Sequence, residues 1–388
     1  MLTSFKLSYC NKLNILLSLD EKPKTMRIYC IFLLFILIIT KSYSQENEEF
    51  KVLSCVKTSA LKNQQSSGTC WSFATTSFIE TEAIRLGKEE ISLSPIFYVT
   101  PTYMGKAEKF IEKKGKSWFD AGDLTFSVLE GYKNFGAVPE EVYNGIIEND
   151  WQHDHVEMDN LLSEMVKSIG TSGYGRIKPY SWKKSIKGVL DAYLGTAPSV
   201  FIYKGKLYSP TSFAREYVGI NPDDYIEITS YFHNDFYKMF VLDIPANWNS
   251  NKYLNLPIKD FEKVIDSALK SGYSLAWDGD ASEPNFDFDK GLLKLTASEE
   301  GKEVTQELRQ ITFENKTTTD DHNMHIIGIA QDTKDNPYYL LKNSEGDNQQ
   351  GGYVYMSKKA LLLKTISVLV HKDAIPNDIR KKSDLNKL

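Results

Sequence analysis

The sequence predicts an α+β fold, on three observations. Apolar residues recur at helical spacing after a polar loop at 63–70 and again from Leu124 to Phe135. A third helical run, Ile258 to Ser271, leads into the strand-like Tyr273-Ser274-Leu275-Ala276-Trp277-Asp278. Apolar runs bounded by polar turns then fill residues 320–371. The chain has 388 residues, 41% hydrophobic and 25% charged, enough for one large core or two medium ones. Disorder, collagen and coiled coil are excluded. Lys+Arg 46 against Asp+Glu 51 gives a net charge of -5, so no basic excess exists to neutralise phosphates, and nucleic acid is not an expected partner. Four cysteines are too few for a disulfide framework to replace a core.

From Ile28 to Ile39 the chain carries no charge; Arg27 precedes this run and Ser42-Tyr43-Ser44 follows it, before Gln45. The pattern is that of a signal peptide covering residues 1–44, because a spanning helix needs about 20 apolar residues. Met26, directly before Arg27, is the expected true start. Cleavage leaves Cys55 and Cys70 as the only cysteines, no stable membrane span, and an exported protein, periplasmic or secreted.

Cys70 follows Asn63-Gln64-Gln65-Ser66-Ser67-Gly68-Thr69 and opens an amphipathic helix through Trp71, Ala74, Phe78, Ile79, Ala83 and Leu86, with Gly87 as its stop. In a first helical turn, unpaired backbone N–H groups and the positive dipole end favour the thiolate. Thr69 is the expected N-cap. Gln64 followed six residues later by Cys70-Trp71 resembles the active-site segment of papain-like cysteine peptidases, and Ser66-Ser67-Gly68 makes it most similar to the bleomycin hydrolase and aminopeptidase C branch of peptidase family C1. The resemblance implies a two-domain papain-like fold, a helical left domain and an antiparallel β-barrel right domain. It makes Cys70 the nucleophile, with the Gln64 amide and the Cys70 N–H as oxyanion donors. Ser67 stands where many secreted relatives carry a disulfide cysteine, so Cys55 reads as a free, packed, non-catalytic thiol.

Of the mature chain's histidines, His322 and His325 lie in a strand-like run. Residues three apart on a strand face opposite sides, so only one is expected to serve the site. His322, followed six residues later by Gly328, resembles the family run His-Ala-x-x-x-x-Gly and is taken as general base and imidazolium partner, with His325 as a core or surface residue. Lys342-Asn343-Ser344-Glu345-Gly346 is similar to the family's Lys-Asn-Ser-Trp-Gly, which makes Asn343 the group that orients the imidazole. Glu345 replaces the tryptophan that covers the Asn–His hydrogen bond in that family. A carboxylate there is expected to raise the histidine pKa.

Asp120-Ala121-Gly122 resembles the Gly-Gly segment that lines the substrate cleft, with Ala121 in place of the first glycine. Leu93-Ser94-Pro95 is expected to open a second helix. His153-Asp154-His155 lacks a third ligand at metal spacing and reads as a solvated loop; no metal or cofactor is expected. The predicted organisation is a targeting segment at 1–44 and a peptidase domain at 45–388. Within it lie a helical lobe at about 50–143 with Cys70, an insertion at 144–222, a second lobe at 223–375 with His322 and Asn343, and a tail at 376–388. By resemblance, peptide substrates are trimmed from their N-termini and the chain forms a homo-oligomer, a hexamer. A weakly active papain-fold binding protein and an endopeptidase remain as alternatives.

Overall fold

The computed structural model describes residues 49–147, 151–172 and 178–385. The expected targeting segment lies outside these residues. From Phe50 onward the chain forms one compact unit. After strand β1 (Lys51–Cys55), helices dominate: α1 (Cys70–Arg85), α2 (Val99–Glu112), α3 (Thr125–Phe135), α4 (Val156–Thr171) and α5 (Pro179–Leu194). A hairpin, β2 (Phe201–Tyr203) and β3 (Lys206–Tyr208), closes this half. Strands then dominate: β4 (Tyr225–Thr229), β5 (Met239–Val241), β6 (Lys252–Asn255), β7 (Leu275–Gly279), β8 (Phe286–Asp287), β9 (Leu292–Leu293), β10 (His322–Gln331), β11 (Pro337–Lys342), β12 (Tyr353–Ser357) and β13 (Thr365–His371). Among them sit α6 (Ile258–Lys270), α7 (Gln306–Glu314) and α8 (Lys358–Lys364), and α9 (Asn377–Lys382) follows.

Local chemistry places the boundaries. Gly87, at φ +79, takes the left-handed turn after α1, and Gly136, at φ +89, ends α3. Ser94 caps the turn before α2 by accepting from the Phe97 N–H at 3.2 Å, although a short 3-10 turn, Ile96–Tyr98, precedes the helix proper. Thr69 occupies the N-cap position of α1 but does not cap it with its side chain. Its hydroxyl is instead 2.6 Å from Ser67 Oγ, inside the preceding loop.

The expected one-sided character of α1 is corrected by the fold. Besides the apolar stripe, Thr75, Thr76, Glu80, Thr81 and Glu82 are buried, because α3 covers one side of the helix and β7 and β10 the other. Its buried carboxylates are paired. Glu80 accepts from Lys62 Nζ at 2.7 Å, from the Leu93 N–H at 2.6 Å and from the Ser59 hydroxyl. Glu82 accepts from Arg85 at 2.7 Å and from the Tyr225 hydroxyl at 3.0 Å. Leu86, by contrast, is exposed.

Ten strands run in the order β5-β6-β4-β13-β7-β10-β11-β12-β9-β8, and β1 adds to β10, making an eleven-stranded sheet. Most pairs are antiparallel; β4–β6 and β9–β12 are parallel. The path is open and no closed barrel is found among the described residues. The end strands β5 and β8 hold three and two residues, too short to carry a closing ladder. Two main apolar clusters form, one among the helices around Trp71, Phe78 and Tyr98, the other over the sheet around Trp277, Met324 and Leu341. The tail docks on α6: Asp378 pairs with Lys263 at 2.8 Å, Lys382 with Asp260 at 3.4 Å, and Leu385 is buried in the sheet-side cluster.

Phe78 links helix to sheet, edge-on to both Tyr225 and His325. Phe78→Ala should lower stability by about 3–5 kcal/mol. The readout is a fall in the urea midpoint at unchanged slope.

Candidate active site

Cys70 is the first residue of α1, where the helix leaves its backbone N–H without an intrahelical acceptor. The thiol donates to Asn323 Oδ1 at 3.8 Å and acts on the neighbouring His322, the first residue of β10, across 252 positions of sequence, by hydrogen bonding and charge. His322 Nε2 donates to Asn343 Oδ1 at 2.8 Å, so Nδ1 is the nitrogen that serves the sulfur. Asn343 Nδ2 in turn donates to Glu345 Oε2 at 3.2 Å. Burial alone lowers the His322 pKa; the hydrogen bond and charge of Cys70, the charge of Glu345 and the Asn343 bond outweigh it and push it up to about 9.

Glu345 is thus part of the chain of contacts and not a mere gap where the family has tryptophan. The aromatic ring at the imidazole is Phe288, edge-on at 6.0 Å from a loop 34 residues upstream. Nothing in the sequence around Phe288 marked it. Ser344 was also missed, though it directly follows Asn343. Its hydroxyl donates to Gln64 Oε1 at 2.6 Å, and its carbonyl accepts from the Gln64 N–H at 2.7 Å. Gln64 Nε2 donates to Ser67 O at 2.7 Å, which settles the orientation of the amide and leaves it a second N–H. Gln64 therefore belongs to the same constellation as Cys70, His322 and Asn343.

The loop that holds Gln64 is strapped by residues 153–155. The Ser66 N–H donates to His153 O at 3.1 Å, the His155 N–H to Ser66 O at 3.0 Å, and the His153 N–H to Gln65 Oε1 at 2.6 Å. The reading of His153-Asp154-His155 as a solvated loop is corrected: both rings are buried, and His153 lies edge-on to Phe73 of α1. Their main-chain pairing with the loop, invisible in a single sequence, draws them inward. Among the described residues no group of three or more His, Cys, Asp or Glu could hold a metal ion.

Asp120-Ala121-Gly122 passes beside this loop. A side chain at Gly68 would meet Ala121 Cβ at 2.6 Å. Trp71 Nε1 donates to Ala121 O at 3.2 Å, and the buried Lys106 ammonium donates to Asp120 O at 2.6 Å and Gly122 O at 2.9 Å. Lys106, which also pairs with Asp123 at 3.4 Å, fixes the segment from behind. His325 is buried against Ser77 Oγ at 3.0 Å. The alternation argument is corrected here: both histidines reach α1, and what separates them is the two turns of helix between Cys70 and Ser77, about 10 Å. Cys55 is not packed, since it is exposed on β1, a strand that pairs with β10 on one side only.

The Peptidase C1-like family model matches residues 202–387, the half that carries His322 and Asn343. Aminopeptidase C of Streptococcus thermophilus is 23% identical over 362 residues, covering 81% of this chain and 80% of that protein. Aminopeptidase G of Lactobacillus delbrueckii subsp. lactis is 22% identical, covering 83% of each. The crystal structure of PepW from Lactobacillus rhamnosis HN001 superposes with a TM-score of 0.68 at 17% identity, over 99% of this chain and 95% of that one. Helices, large sheet and family match together define a papain-like cysteine peptidase. Within that class the chain is similar over residues 202–387 to the Peptidase C1-like family and over about four-fifths of its length to aminopeptidases C. No helix among the described residues is long and apolar enough to cross a membrane.

Two outcomes follow from the charges. Glu345→Gln removes a negative charge that favours the His322 imidazolium, so the alkaline limb of the kcat/KM profile should move to lower pH; an unmoved limb would show that this charge is not felt. Burial, with His153 adding to it, pushes His155 down to about 4, against about 6.5 in an unfolded chain. Between about pH 6.5 and 4 the unfolded chain binds a proton that the folded one refuses, so stability falls as pH drops through that window. His155→Phe should flatten this slope, measured as thermal midpoint against pH.

Proposed function

We propose that this chain is an exported aminopeptidase, a cysteine peptidase that removes residues from the free N-termini of oligopeptides. The observation that carries the reading is the line Cys70–His322–Asn343 at the first turn of α1, with Gln64 tied to Ser344, the residue after Asn343. The thiolate attacks the scissile carbonyl carbon. The oxyanion is received by the Cys70 N–H and the second Gln64 amide proton. The imidazolium gives its Nδ1 proton to the leaving amine, and His322 then activates the water that hydrolyses the thioester. Asp120, Ala121 and Gly122 line the substrate's path, held by Lys106 and Trp71.

The relatives' names, aminopeptidase C and aminopeptidase G, support the exopeptidase reading. The uncharged run after Arg27 supports export. In the finer reading, residues 50–143 and 223–375 act as two lobes with the cleft between them, and 144–222 is an insertion on the helical side.

Two measurements on the purified protein test this. Cys70→Ser should abolish covalent labelling by an epoxide or iodoacetamide and lower peptide hydrolysis by more than about 10³-fold. An aminoacyl coumarylamide with a free amine should be cleaved faster than its N-acetylated twin. The opposite order would make the enzyme an endopeptidase, and absence of both labelling and cleavage would make it a binding protein.

A further inference from the structure

Two acceptors face the nucleophile, and the catalytic line uses one of them, His322. The other is Asn323 Oδ1, 3.8 Å from the Cys70 sulfur, at the position after His322 where the resembled run has alanine. This amide has no freedom to turn. Its Nδ2 donates to Trp277 O at 3.4 Å and to Asp278 Oδ1 at 3.2 Å. A main-chain carbonyl only accepts, so the nitrogen end is fixed at Trp277 and the oxygen end at the sulfur. Asn323 is 2% exposed and Asp278 1%, so water does not compete for these groups. Asp278 keeps its proton: burial first, then the charges of Asp320, Glu227, Cys70 and Asp321, hold its carboxyl well above the usual range. The neighbouring Asp320, which burial pushes up to about 6, also has a buried open oxygen, and one proton shared between the two acids serves both.

We propose that Asn323 is a second acceptor for the Cys70 proton and opposes formation of the thiolate. The proton has two places to be. On His322 Nδ1 it leaves a sulfur anion beside an imidazolium; on the sulfur it is donated to Asn323 Oδ1, and the thiol is neutral. An amide oxygen is the negative end of its dipole, so it stabilises S–H and repels S⁻ from the same place. The reverse orientation would aim an N–H donor at the anion and favour it, but Trp277 and Asp278 hold the amide the other way. Asp278 is thus a positioning residue that acts through Asn323. The other groups at the sulfur are accounted for. From α1 the open N–H groups of the first turn favour the anion, and from β10 His322 does so with Glu345 behind it. From β7, Asp278 adds no negative charge while it keeps its proton. Asn323 therefore sets how much of the nucleophile stands ready at a given pH. About half a unit charge at each end of the amide dipole, about 4 Å from the sulfur and at an effective dielectric constant of about 10–20, changes the thiolate fraction by about 3- to 10-fold. The inference rests on Cys70 as nucleophile and holds whether the peptide is cut at its end or within.

The test is the rate at which iodoacetamide alkylates Cys70 in the full chain as pH is varied, read by mass spectrometry on the peptide that carries it, because the exposed Cys55 also reacts. Only the thiolate is alkylated, so the acid limb of this profile reports its population. Asn323→Ala, and Asn323→Leu with the bulk kept, should move that limb to lower pH and speed labelling on it by about 3- to 10-fold, with little change on the plateau. Asp278→Asn keeps an uncharged acceptor for the Asn323 amide and should stay within about twofold of the wild type. An acid limb that stays in place, or moves to higher pH, in both Asn323 variants overturns the proposal and leaves the peptidase reading intact. A shift of equal size in Asp278→Asn overturns it as well, since the carboxyl and not the amide would then act on the sulfur. A wild-type Cys70 that labels no faster than Cys55 at any pH overturns the nucleophile reading and the proposal together.

Discussion

The packing of α1 against β7 and β10 is the constraint on which the site depends. The helix is enclosed nearly all round, and such a position is tolerable for its two buried glutamates only because each is paired: Glu80 with Lys62, Glu82 with Arg85. Breaking a buried pair typically costs about 3–5 kcal/mol, so the helix has few ways to shift. Its first residue therefore meets the first residue of β10 at a place set by the whole interface. A sulfur and an imidazole brought together from distant sequence keep their geometry because neither belongs to a free loop end.

The surroundings of Cys70 are electrically asymmetric. On one side the imidazole is made more basic by the thiol, Glu345 and Asn343 acting together. On the other, the Asn323 amide donates to the Asp278 carboxyl at 3.2 Å, which burial and neighbouring acids hold well above the usual carboxylate range. The imidazole flank of the nucleophile is thus arranged to hold positive charge. Phe288 and Glu345 divide between them the work of a single aromatic residue: the ring packs on the imidazole, and the carboxylate holds the asparagine.

Much of this was legible in the sequence, for identifiable reasons. Helix periodicity with glycine stops located α1, α3 and α6 to within a residue or two, and the motif positions of Cys70, Gln64, His322 and Asn343 converge in space. What escaped were relations that depend on tertiary neighbours. The second buried face of α1 reads as polar in sequence and is buried only because α3 and the sheet cover opposite sides. His153 and His155 look solvated until their main chain pairs with the Gln65–Ser66 turn. Phe288 and Lys106 act on the site from segments with no motif, and Asn323 hides behind a neighbour whose motif role absorbs attention.

The strap between 153–155 and the loop at 64–66 has an architectural consequence. Because three hydrogen bonds join residues 153–155 to that turn, the segment is built into the support of the loop that leads to Cys70. Excising it would strip hydrogen-bond partners from Gln65 and Ser66, the two residues directly after Gln64. A shortened chain would need a redesigned turn to hold Gln64 in place, so the two segments, distant in sequence, form one structural unit.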